Sequence, residues 1–173
     1  DISNWNVSSV TTASGMFTYV TLPTVVYDGI LIKWSTQDVK TGVTFAGGSS
    51  KYSLLANSSR ALLQSKGWTI TDGGLYTDTQ APTITINSPE NQTYSTKLIS
   101  IDITATDDTY LDSVWYDFGE GNTTYTTPFI NNFDLGSYEI KAYAEDIWGN
   151  LNSTSTFFEV TCITNYTNTS WSE

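Results

Sequence analysis

Tyr138-Glu139-Ile140-Lys141-Ala142-Tyr143-Ala144-Glu145-Asp146-Ile147-Trp148-Gly149-Asn150-Leu151, continued to Val160, alternates, turns and returns. Tyr138, Ile140, Ala142 and Ala144 stand at every second position, a period that puts them on one side of a strand. Asp146 to Asn150 then gathers residues that open turns, Gly149 among them. Leu151 to Val160 reads as the returning last strand, with Phe158 and Val160 as its core contacts.

Upstream of this hairpin the same period recurs. Thr83 to Asn87, Leu98 to Thr106 and Ser113 to Phe118 alternate apolar with polar, each implying one buried face. Leu98, Ile99, Ile101, Ile103 and Ala105 supply the face of one strand, and Val114 with Tyr116, or Trp115 with Phe118, that of the next. Trp115 is the expected core aromatic of the third strand. About seven strands in roughly 80 residues predict a β-sandwich. Ala81-Pro82-Thr83-Ile84, Ala105-Thr106-Asp107-Asp108 and Ala144 to Asn150 together resemble the immunoglobulin-like domains of bacterial and archaeal surface proteins. Their final hairpin often reads A-x-D-x-x-G-N, complete here, and a missing cysteine pair is usual among them.

The first half is written differently. Tyr27, Ile30, Leu31 and Trp34 recur at i, i+3, i+4 and i+7, one face of a helix that Pro23 and Thr24 could start. A second helix is expected to open at Ser53 as N-cap, carry Leu55, Leu62 and Leu63 inward, and stop at Gly67, with Lys66 suiting its C-terminal dipole. Val43 to Phe45 and Trp68 to Thr71 read as short strands after each helix, with turns at Gly47-Gly48 and Gly73-Gly74. Ile2, Trp5, Val10, Met16 and Phe17, followed by Tyr27-Asp28, Gly42 to Phe45, Lys51 to Ser53, Arg60 to Leu63 and Lys66 to Gly74, resemble the BspA-like leucine-rich repeat. That resemblance covers Asp1 to Leu75 and implies one repeat and the C-terminal cap of a longer array, a mixed α/β cap ahead of an all-β sandwich.

Composition agrees with a break between the halves. Residues 1–76 hold five cations against four acids, whereas from Thr77 onward Lys97 and Lys141 oppose fourteen acids. The expected organisation is therefore 1–76 as repeat and cap, 77–82 as linker, 83–160 as immunoglobulin-like sandwich, and 161–173 as the start of a further module or a tail. Overall, 173 residues carry a net charge of −11, with 14% charged and 14% aromatic residues. A field of that sign repels phosphate backbones and anionic lipid, which argues against nucleic-acid binding. The chain has no histidine, which removes the commonest general base and the usual zinc ligands. No apolar run is long enough to span a bilayer, so an anchor would lie outside this chain.

Asp107, Asp108, Glu145, Asp146 and Asn150 flank strand ends that a sandwich can bring to one edge. Oxygen-only ligands of this kind suit calcium; the alternative is that they open turns and keep the surface soluble. Asp117 and Glu120 are a carboxylate pair of the glycosidase type, but their place at a Gly119 to Gly121 turn reads as a solvated hairpin. Flat tryptophan faces invite a sugar-binding reading, yet Trp5, Trp34, Trp68 and Trp115 sit in periodic or matched positions and read as core. Trp148 lies in a turn, where it packs over the sandwich end or meets a ligand. N-glycosylation triplets stand at Asn6, Asn57, Asn91, Asn122, Asn152, Asn165 and Asn168, seven of twelve asparagines. Cys162 to Glu173 resembles the opening of a thrombospondin-like repeat, which would give the single cysteine a partner outside the chain and an oxidising exterior.

These features lead to a non-catalytic segment of a large modular extracellular surface protein, in adhesion or recognition, or as a spacer presenting a repeat array. Its partners would be other surface proteins, glycans or copies of itself. Two alternatives are a subunit of an extracellular filament or surface layer, and an accessory binding module of a secreted polysaccharide-degrading enzyme.

Overall fold

The structure, a computed structural model, describes residues 2–162. The chain divides into two compact units, Asp1–Thr79 and Gln80–Glu173. It is largely a β-sandwich fold, with sheets of mixed topology and, among the described residues, two short helices.

In the first unit, helix α1 (Thr24–Ser35) starts after Pro23, whose fixed φ suits a helix start, and buries Tyr27, Ile30, Leu31 and Trp34. Strand β1 (Thr44–Ala46), helix α2 (Leu54–Ser65) and strand β2 (Thr69–Thr71) follow, and β1 pairs with β2 in parallel. Ser53 caps α2 by accepting from the Leu55 N–H at 3.1 Å. Its own N–H and hydroxyl donate to the buried Asp28 carboxylate at 2.8 and 2.5 Å, so one serine ties both helices together. The core closes on Phe45, whose ring meets those of Phe17, Tyr27, Trp34 and Trp68.

Three expectations need correction here. On α2 only Ala56 and Leu63 are buried; Leu55 and Leu62 are 47% and 44% exposed, because they sit off the narrow stripe that faces α1. Lys66 serves the end of its own helix through its backbone N–H, which donates to the Leu62 carbonyl at 3.0 Å, and not through its charge. Its ammonium donates to the carbonyls of Ser35 and Gln37, at and just beyond the end of α1, at 2.7 and 2.8 Å. The leucine-rich-repeat reading of residues 1–76 also fails in the structure. A repeat array stacks one strand per unit into a lengthening ladder. Here the ladder is two strands of three residues with isolated bridges from Ala13 to Phe45 and from Tyr52 to Leu75, folded around a single aromatic centre.

The second unit contains β3 (Thr83–Ser88), β4 (Thr93–Tyr94), β5 (Leu98–Thr106), β6 (Leu111–Asp117), β7 (Thr123–Thr124), β8 (Phe129–Asn132), β9 (Gly136–Asp146) and β10 (Leu151–Val160). They form a three-stranded sheet, β3-β5-β8, and a five-stranded sheet, β4-β10-β9-β6-β7. Within this unit all described strand pairings are antiparallel except β4 with β10. Ile99, Ile101 and Ile103 of β5, Ile140, Ala142 and Ala144 of β9, and Phe158 and Val160 of β10 form the core with Ile84 and Phe133. Leu98 faces away, 60% exposed. On β6 it is Val114 and Tyr116 that pack on the core, so Trp115, expected there, points to the opposite face. It stacks on Tyr143 of β9 instead, its register partner.

Pro82 and Asn152 stand side by side where β3 and β10 begin, the Asn152 amide donating to the Pro82 carbonyl at 2.8 Å. At the other end of β10, Val160 pairs with Tyr94 and Thr161 donates to the Tyr94 carbonyl. The chain thus enters the sandwich at one end and leaves β10 at the other.

Candidate functional site

The oxygen-rich set gathers where the chain enters the sandwich. Asp107 follows β5, and its Oδ1 accepts from the backbone N–H of Thr109 and Tyr110 at 3.0 and 2.9 Å. Asp146 ends β9 and is 2% exposed. Its Oδ1 accepts from the N–H of Trp148 and Asn150 at 2.8 and 2.9 Å, and its Oδ2 from the Asn150 side-chain amide at 2.7 Å. Both are thus aspartates that wind a turn around their own carboxylate. Within this unit one carboxylate oxygen of Asp107 lies within 4.8 Å of one of Asp146. Carboxylates at that spacing could contribute to a metal site such as one for calcium, since a hard cation takes oxygen ligands and has room for several.

Of the five residues singled out in the sequence, Asp107 and Asp146 enter this group as ligand candidates. Asn150 is bonded to Asp146, Asp108 accepts from the Thr109 hydroxyl at 3.3 Å, and Glu145 lies outside the group.

Asp117 does different work. Its Oδ1 accepts from the Gly119 and Gly121 N–H at 2.6 and 2.9 Å, and these backbone bonds, that from Gly121 foremost, hold its carboxyl below the usual carboxylate range. A carboxyl kept ionised closes a turn; it is the reverse of the raised value a glycosidase acid needs. Trp148 packs against Tyr110, ring centroids 6.4 Å apart. Asn6, Asn57, Asn91, Asn122 and Asn152 are exposed, while Asn165, Asn168 and the thrombospondin-like stretch beyond Cys162 lie outside the described residues. No described helix is long and apolar enough to cross a membrane.

No family model and no curated protein matches the chain. Solved structures do. A fibronectin(III)-like module of Clostridium thermocellum CbhA is 24% identical, with a TM-score of 0.38, covering 45% of this chain and 94% of that one. The PKD1 domain of Vibrio anguillarum Epp is 19% identical, with a TM-score of 0.41, covering 49% and 99%. A structure of carbohydrate-binding modules from the β-sandwich superfamily is 24% identical, with a TM-score of 0.42, covering 51% and 37%. These are likenesses of fold alone, to small β-sandwich modules. The BspA-like identification drawn from Asp1 to Leu75 is corrected accordingly: no family model matches the chain, and what the solved structures offer is similarity to β-sandwich modules and not to a leucine-rich-repeat horseshoe.

Proposed function

We propose that the chain is a non-catalytic segment of a large modular extracellular surface protein, in which the sandwich serves as a spacer within an adhesive or recognition assembly. The observation that carries this reading is the path of the chain. β3 and β10 both start at the end marked by Pro82 and Asn152, and β10 finishes at the far end beside Tyr94. A module threaded end to end extends an assembly by its own length, whereas one whose ends meet folds the assembly back. Ten residues of β10 correspond to about 33 Å. The low charge content, the abundance of hydroxyl side chains and the exposed glycosylation triplets suit an extracellular surface.

Calcium is the cation proposed for Asp107 and Asp146. Fourteen of the eighteen acids of the chain lie from Thr77 onward, and a divalent ion relieves that self-repulsion where the chain enters the sandwich.

Two sandwiches joined in tandem test the spacer. Small-angle scattering should show the longest dimension growing by about 33 Å with the second copy. Growth of only a few ångströms would mean that the copies fold back on each other, and the reading would fail.

A further inference from the structure

We infer that the outward face of the five-stranded sheet holds a binding slot for a neutral glycan, with the Tyr143 ring as its wall and Ser153 and Ser155 as its floor. The inference rests on the proposed extracellular role and names the ligand class and the site.

The register builds the slot. Trp115, Tyr143 and Ser153 stand in line across β6, β9 and β10, and in the next row stand Asp117, Lys141 and Ser155. Trp115 and Tyr143 lie 5.6 Å apart at centroid with an interplanar angle of 11°, so each ring covers one face of the other. Tyr143 therefore has its second face toward β10. There the outward residues are serines, too small to cover it. The result is a cavity of about 410 Å³ lined by Lys141, Tyr143, Ser153, Thr154 and Ser155. The Trp115 indole N–H is covered and makes no hydrogen bond, so Trp115 backs the wall as carbon surface.

An open aromatic face beside two serine hydroxyls and an ammonium matches a ligand with an apolar side and a hydroxyl rim, which is the chemistry of a pyranose ring. The volume lies within the range of about 300–1,000 Å³ usual for small-ligand sites. Charge selects among glycans. Lys141 is already 3.6 Å from Glu139, and from Thr77 onward it has only Lys97 beside it against fourteen acids. A uronic-acid or sulfated polymer is repelled by that field, and a neutral one is not.

Isothermal titration of the whole chain should be run with neutral gluco-, xylo-, manno- and chito-oligosaccharides, and with oligogalacturonate as the anionic control. At least one neutral series should bind, oligogalacturonate should not, and Tyr143→Ala and Ser153→Leu should each weaken binding roughly tenfold. Ser153→Leu fills the slot with the Tyr143 ring in place, so loss in both variants at unchanged melting temperature locates the site. Binding by no neutral series overturns the inference, as does binding that survives both variants. A concentration-dependent dimer abolished by Tyr143→Ala would also overturn it, because the face would then be covered by a second copy. None of these results alters the scattering length of the tandem sandwich, so failure here is separable from failure of the spacer reading.

Discussion

Asp72 shows how a single residue organises the first unit. Its side chain is 1% exposed, and it accepts from the Arg60 guanidinium at 2.8 and 3.1 Å, the Tyr27 hydroxyl at 2.9 Å and the Gly74 N–H at 3.1 Å. Burial first, and then the neighbouring Asp72 charge, push the Tyr27 phenol far up, so it stays a donor. Arg60→Met leaves that carboxylate buried with two donors fewer. It should cost about 3 kcal/mol, the lower end for breaking a buried pair, since 17% of the Arg60 side chain still meets water. Chemical denaturation reads the loss, and a change below about 0.5 kcal/mol would show that the pair holds nothing. Asp117 gives a pH signature. Its folded value lies below the unfolded one, so its contribution is present above about pH 4 and disappears as pH falls through the folded value. A carboxyl titration by NMR should place its midpoint below that of an unstructured aspartate; a midpoint at or above it would contradict the turn bonds. For the aspartate group, melting in millimolar calcium and in chelator should be compared at matched ionic strength. A site at a hundredfold excess over its Kd adds about 2.7 kcal/mol, several degrees of melting temperature. Asp107→Asn should abolish the rise, and identical curves for the parent would leave the group as turn formers.

At the scale of elements, β5 buries the isoleucines expected of it but not Leu98, which was expected on the same face. Ile99, Ile101 and Ile103 go inward and Leu98 outward. Ile101→Ala should therefore cost about 3 kcal/mol and Leu98→Ala no more than about 0.5, measured by denaturant unfolding. Equal losses would mean the register is wrong. The strand was legible because its two faces differ in polarity. β6 was not, because Val114, Trp115 and Tyr116 are apolar or aromatic in succession, and period two then names no inner face. Only the pairing of Trp115 with Tyr143 puts the larger ring outside, and with it the slot above β10. Likewise Leu62 and Leu63 are both apolar neighbours, but the α2 stripe has room for one. The aspartate group was partly legible: Asp107 and Asp146 stand at ends of predicted strands, whereas Glu145 and Asp108, singled out with them, lie outside it. The sheet edges bear on the filament alternative. β4 and β7, the edges of the larger sheet, are two residues each, which offers little backbone for pairing between copies.

Across the whole molecule, each of the two units has its own closed apolar core, one centred on Phe45 and one on the isoleucines of β5 with the inner face of β9. A spacer has to be stable by itself, because its neighbours in an assembly cannot be relied on to complete its core. The central claim is that the sandwich is such a self-sufficient module. Calorimetry of residues 77–162 expressed alone tests it most directly. The account predicts one cooperative transition at the temperature where the same unit melts in the full chain. A fragment that is unfolded, or that melts without a cooperative heat peak, would contradict it.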